Sequence, residues 1–353
     1  MEAIYLNPGP LSSFNSLVYY LGPQLEKIRN LYIHGSSPEI ILDLKNLNTQ
    51  NINIPALAAL LSNCHKLSQF FGRPIVTEFS LNPYIQNFLN HVHFFRIAKK
   101  LKILVWDEKT VGGFWPSDMN PHTKLLYFGD VHESVEKNTP DEIVRIKAVL
   151  KQKIGPNFSL RCSEIFKSFD PKLEYSVENT ALELITNCLI HAKDYAFVGI
   201  QRTSKRITVS VCDSGMGFKK SLVNSYPDYL IFRGASNIQA IVIGSLIQQY
   251  EHGLRLAINH VLNYNDSQYN TRNDGWVIIS SYDSEIRWQK PNWDRAIEYF
   301  QETGLGLKLP DISLLLGDEL NKKVPYEQLE QGYWRNYKNI LMGTRITFEI
   351  PIV

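Results

Sequence analysis

The stretch 176–213 restricts the possible folds more than any other part of the chain. Residues 176–192 carry Ala181, Leu184, Ile185, Cys188, Leu189 and Ala192 at helical spacing, an apolar face suited to packing on a sheet. On the same helix Glu183, Asn187 and His191 recur every fourth residue and stack as one polar stripe. Two alternating runs follow, 195–201 and 206–213, with the period of paired strands. The second run ends in Asp213 and passes straight into Ser214-Gly215-Met216-Gly217. Glycine admits backbone conformations and a close approach that a Cβ would block. A carboxylate at a strand end, shielded from water, can accept a hydrogen bond from an amino group on a ring. Taken singly, the polar stripe is compatible with an ordinary helix surface, and the two glycines with a plain turn. Their order along one chain is far more specific.

The rest of the chain supplies the frame. Residues 14–29 have apolar residues at helical spacing, 39–44 read as a buried strand, and 55–71 as a helix opened by Pro55. Strands at 74–79 and 101–106 flank a helix at 83–92, so the first third alternates between helix and strand. That alternation predicts an α/β layer structure. Periodicity fades over 108–141, where Gly112, Gly113, Pro116, Pro121 and Pro140 mark a boundary. A helix is expected at 141–154, a long poorly periodic segment at 218–253, a helix at 254–262 and a strand at 276–281. An insertion at about 288–341 precedes a last strand at 344–351. We therefore expect two units, 1–125 and 126–353.

The order ExxxN, two strands, then DxGxG resembles the N and G1 boxes of the GHKL superfamily of ATPases. The local form from Glu183 to Ala192 is closest to the histidine-kinase and anti-sigma-factor branch, as is Gly343-Thr344 leading into Phe348-Glu349-Ile350-Pro351. This resemblance covers roughly residues 140–353 and implies a Bergerat-type α/β sandwich, with helices on a mixed sheet. It implies ATP and Mg²⁺ as ligands. Asn187 would coordinate the Mg²⁺ that bridges the phosphates, and Glu183 would orient or deprotonate an attacking water. His191 would donate near the phosphates, and Thr344 would lie in the site. Asp213 would accept from the adenine amino group, with Gly215 and Gly217 letting the backbone close on the nucleotide. Two segments compete for the glycine-rich end of the lid. Gly253 has a helix and then a strand after it, whereas Gly304 and Gly306 have the better local letters. Order of elements favours Gly253, and Arg255 beside it could contact a phosphate.

The first unit resembles, by pattern alone, the STAS-like domains that precede such ATPases in some bacterial proteins. No phosphorylatable serine follows its first strand, Thr49 being the nearest hydroxyl, so a docking or dimerisation role is expected. The implied activity is that of a slow Mg-ATP-dependent switch acting on a protein partner. The alternatives are a serine/threonine kinase acting in trans and a non-catalytic ATP-binding module. No phosphoacceptor helix pair precedes the ATPase half, which argues against an autophosphorylating histidine kinase.

Composition narrows the partners. Lys and Arg total 37 and Asp and Glu 35 in 353 residues, a net charge of +2, which argues against nucleic acid. The short basic run at Lys99, Lys100 and Lys102 reads as a solvated helix end. Cys64, Cys162, Cys188 and Cys212 are widely spaced, with neither a CxxC pair nor zinc-site spacing. Reduced thiols, the absence of a signal-like start and the absence of a long apolar stretch lead us to expect a cytoplasmic protein with no membrane span. A homodimer would fit the docking role of the first unit.

Overall fold

The computed structural model describes residues 3–35, 37–47, 52–111, 122–129, 140–166, 171–192, 194–225, 230–247, 253–263, 275–303 and 334–352. Thr49, Gly304 and Gly306 lie outside them.

The first unit runs β1 (Ala3–Leu6), α1 (Phe14–Ile33), β2 (Glu39–Leu44), α2 (Ile54–Phe71), β3 (Ile75–Phe79), α3 (Pro83–His91), α4 (Phe94–Lys100) and β4 (Leu104–Val105). Its four strands form a wholly parallel sheet in the order β1-β2-β3-β4. The strand expected at 101–106 shrinks to two residues, because α4 ends at Lys100 and Lys102 turns with a positive φ of 51°. The helix starts follow local chemistry. The Asn53 side chain accepts from the Ala56 amide at 3.0 Å, Pro55 sits in the first turn, and Gly72 closes α2 in the left-handed region.

Alternation along these strands points Ile4, Leu6, Ile40, Leu42, Leu44, Ile75, Phe79 and Leu104 into the core. The other face is open. Tyr5, Ile41, Val76 and Val105 stand in register across all four strands on it, three of them exposed.

The second unit continues with β5 (Thr123–Phe128), α5 (Pro140–Phe166), α6 (Pro171–Asn187), a π-helical turn (Cys188–Ala192), β6 (Ala196–Arg202) and β7 (Arg206–Asp213). Then come α7 (Phe218–Ser225), α8 (Leu230–Gly234), α9 (Asn237–Leu246), α10 (Leu254–Leu262), β8 (Trp276–Gln289), α11 (Lys290–Thr303) and β9 (Trp334–Pro351). The five strands order β5-β6-β7-β9-β8, and every pairing is antiparallel. The mixed sheet expected from the resemblance is therefore corrected to an antiparallel one, since its neighbours are joined as hairpins or run in opposite senses. β5, which spans the expected junction at 125/126, belongs to this second sheet.

Three further expectations change. The segment 218–253 is not aperiodic in structure: it holds α7, α8 and α9, and α9 is opened by a Ser236–Gln239 capping box. The helix expected at 176–192 starts at Pro171 and loosens into a π turn at Cys188. The strands at 276–281 and 344–351 reach much further, pairing as far as Ile286 with Trp334. Residues 282–289 and 334–343 thus extend a hairpin and are no part of an inserted segment.

The two units share their packing. One face of the antiparallel sheet, carrying Val198, Ile200, Val209, Val211, Ile279 and Phe348, packs on α5, α6, α9 and α10. The opposite face, with Phe197, Cys212 and Leu341, packs on α1 and α2 in a single core with the parallel sheet. Fourteen of the eighteen α2 residues are buried. A helix buried around most of its circumference, Ser62, Asn63 and His65 included, fits one held between two sheets. At the end of the same interface Arg345 stacks on the Phe14 ring at 3.2 Å from its centroid, while Arg335 and Arg345 both pair with buried Glu285.

Candidate functional site

A cleft open to solvent lies between α6, α7, α9 and the end of β7. Apolar walls come from Leu184, Phe218, Leu222 and Ile346, and the polar groups reaching it include Asp213, Thr344, Asn187, His191, Lys147 and Ser225.

Asp213 ends β7 and is buried, 4% exposed. Its Oδ1 accepts from the Gly215 amide at 2.9 Å and the Thr344 amide at 3.2 Å. Burial pushes its carboxyl up to about 6, against the pull of those two amides. Two donors on one oxygen fix the plane of the group and leave capacity on the other. The carboxylate is thereby held ready to accept from a ligand donor.

The glycine turn after it is built by close contact. Gly217 has φ +77°, and a Cβ there would sit 2.0 Å from Tyr282 Cε2. The Tyr282 hydroxyl donates to the Met216 carbonyl at 3.1 Å, and the Phe218 amide donates to Ser281 Oγ at 2.9 Å. Gly215 abuts Ala192, where a Cβ would come within 2.5 Å of the alanine methyl. The end of the π turn and the glycine turn are therefore packed as one unit.

A second group of polar residues surrounds Glu183. Its carboxylate is bound by Lys147 Nζ at 2.6 Å and Lys151 Nζ at 2.9 Å, both from α5. Burial pushes the Glu183 carboxyl up, but the charges and hydrogen bonds of the two lysines outweigh it and hold the group below its usual range. Glu183 does not line the cleft, whereas Lys147 does. Burial, reinforced by Lys147, lowers His191 to about 4, so its imidazole is neutral at pH 7, with Nδ1 3.4 Å from Ser225 Oγ. Asn187 faces the cleft from one turn beyond Glu183.

Of the residues expected in the site, the structure brings together Asn187, His191, Asp213, Gly217, Gly253 and Thr344 as cleft lining. Gly215 supports it from behind. Gly253 is the N-cap of α10, at φ +132°. Arg255 is turned away: it donates to the Leu246 carbonyl at 3.2 Å and stacks over the Phe300 ring. Lys147 and Lys151 are polar partners that the sequence does not reveal, since they lie 36 and 32 residues before Glu183.

The turn also touches the first unit. Asp194 accepts from Ser214 Oγ at 2.9 Å and stands 3.6 Å from His65 and 3.8 Å from Lys66 of α2. On the other side of Asp213, the Met342 amide donates to Asn63 Oδ1 at 3.1 Å. Helix α2 thus contacts both flanks of the frame that holds Asp213.

No family model, curated protein or solved structure matches the chain. Among the described residues no helix is long and apolar enough to cross a membrane.

Proposed function

We propose that the cleft is a Mg-ATP site and that the protein is a slow, GHKL-type ATPase working as a nucleotide-controlled switch for a protein partner. The observation that carries this reading is Asp213: a buried carboxylate fixed by the Gly215 and Thr344 amides at the end of a cleft, with Asn187 facing the same space. An acceptor so fixed suits the amino group of an adenine, and the apolar walls suit its ring. Among the described residues no cluster of three or more His, Cys, Asp or Glu could hold a metal alone. This agrees with Mg²⁺ arriving on the phosphates, which it commonly does, with one protein oxygen from Asn187. Bound there, the ion would neutralise phosphate charge. The contacts of α2 with both flanks of Asp213 offer a route by which occupancy could reach the first unit and a partner docked on it.

The ion pairs on Glu183 favour a second reading. A carboxylate bound by two lysines is a poor base, so binding without turnover fits the site as it stands. Incubation with γ-labelled ATP separates the readings. Release of free phosphate supports the ATPase, label on another protein supports a kinase acting in trans, and binding with no turnover supports an interaction module.

A further inference from the structure

We propose that Lys147 and Glu183 form a latch released only by a ligand with terminal phosphates, so that the cleft discriminates nucleoside di- and triphosphates from the bare nucleoside. The inference rests on the nucleotide reading above and deepens it. Lys147 on α5 and Glu183 on α6 are 6% and 7% exposed in their side chains, and Lys147 reaches the cleft lining beside Asn187 and His191. An ammonium group has three donors. Glu183 takes one, and the other two have no protein partner among the described residues. A buried cation with spare donors at a cavity wall is chemistry for an anion.

Lys147, Lys151 and Glu183 together carry +1, while His191 is neutral at pH 7. Of these three charged groups Lys147 is the one that lines the cleft, whose lining also holds the Asp213 carboxylate.

The second lysine makes the latch reversible. Removing the only partner of a buried carboxylate is strongly unfavourable, because an uncompensated charge remains. Here Lys147 can swing to a phosphate oxygen while Lys151 keeps its 2.9 Å bond to Oε2 of Glu183. Oε1 is then free to accept a hydrogen bond from water. A nucleoside, with no anionic group, leaves the latch closed and Glu183 covered.

The test uses the full chain with adenosine, Mg-ADP and Mg-ATP as probes in calorimetric titrations. Wild type is expected to prefer ATP over adenosine, and Lys147→Gln to lose about tenfold or more of that preference. In ¹⁵N-lysine-labelled protein, the Lys147 ammonium signal is expected to shift with Mg-ATP and not with adenosine. If wild type binds ATP while Lys147→Gln binds it equally well, or the Lys147 signal ignores ATP, the latch is overturned and the nucleotide site stands. If wild type binds none of the three probes, the nucleotide reading itself fails, and the latch with it. Should Lys147→Gln lose adenosine as well, the ammonium signal, assigned with Lys147→Arg, decides in its place.

Discussion

The amide of Thr344 donates to Oδ1 of Asp213 across 3.2 Å, joining residues 131 positions apart in the chain. This bond, in register with the pairing of β7 and β9, sets the carboxylate at the end of the cleft. Just before it, Gly343 has φ +83°, and a Cβ there would fall 1.9 Å from the Asp213 carbonyl oxygen.

Gly343→Ala is therefore expected to combine left-handed backbone strain with a clash against main chain, costing about 2–4 kcal/mol. Denaturant unfolding measures it, with a lower midpoint at an unchanged slope. A stability equal to wild type would mean the two strands do not meet as described.

Below pH 6 the ligand should let go. Asp213, held near 6 by burial, is the stronger acceptor when ionised, because protonation turns one oxygen into a donor. On the nucleotide reading, adenosine affinity should be flat from about pH 7 upward and fall by at most about tenfold per unit below about 6. Adenosine, lacking phosphates, removes the ligand's own phosphate titration from the measurement. His191, neutral above about 4, contributes no step in that window.

Glu183→Ala separates structure from chemistry less cleanly than the sequence suggests. It would leave Lys147 buried without its counter-charge, and breaking such a pair costs about 3–5 kcal/mol. A clear fall in melting temperature is expected, so turnover must be compared at temperatures where the variant is folded. An unchanged melting temperature would contradict the ion pairs.

The first unit should not be separable. Residues 122–353 alone would expose Phe197, Cys212 and Leu341, which α1 and α2 cover in the full chain. We expect that fragment to aggregate or to melt without cooperativity in calorimetry. A sharp, reversible transition would show that α2 is not part of its core.

Much of this site was legible because its parts are local. Helix 176–192, the two strands and the glycine turn each carry their own period or turn chemistry, and Asp213 with Asn187 follows from them. What failed was long-range. β5 and the extended arms of β8 and β9 carry too weak an alternation to be read without their partners, since strand pairing is set by neighbours distant in sequence. α2 looked like the core helix of a separate domain because periodicity reveals that a residue is buried and not what buries it. Lys147 and Lys151 carry no local signal of a partner 36 and 32 residues further on. Arg255 was placed near the phosphates by its proximity to Gly253, yet its guanidinium is drawn to Phe300 and the Leu246 carbonyl.

The most direct test of the account is the melting temperature of the full chain with and without Mg-ATP, for wild type and Asp213→Ala. Losing one buried polar partner costs about 1–3 kcal/mol of binding, roughly ten- to a hundredfold in affinity. The account predicts a rise with Mg-ATP for wild type, growing with ligand concentration, and little or none for the variant. No rise in wild type, or an equal rise in both proteins, would contradict it.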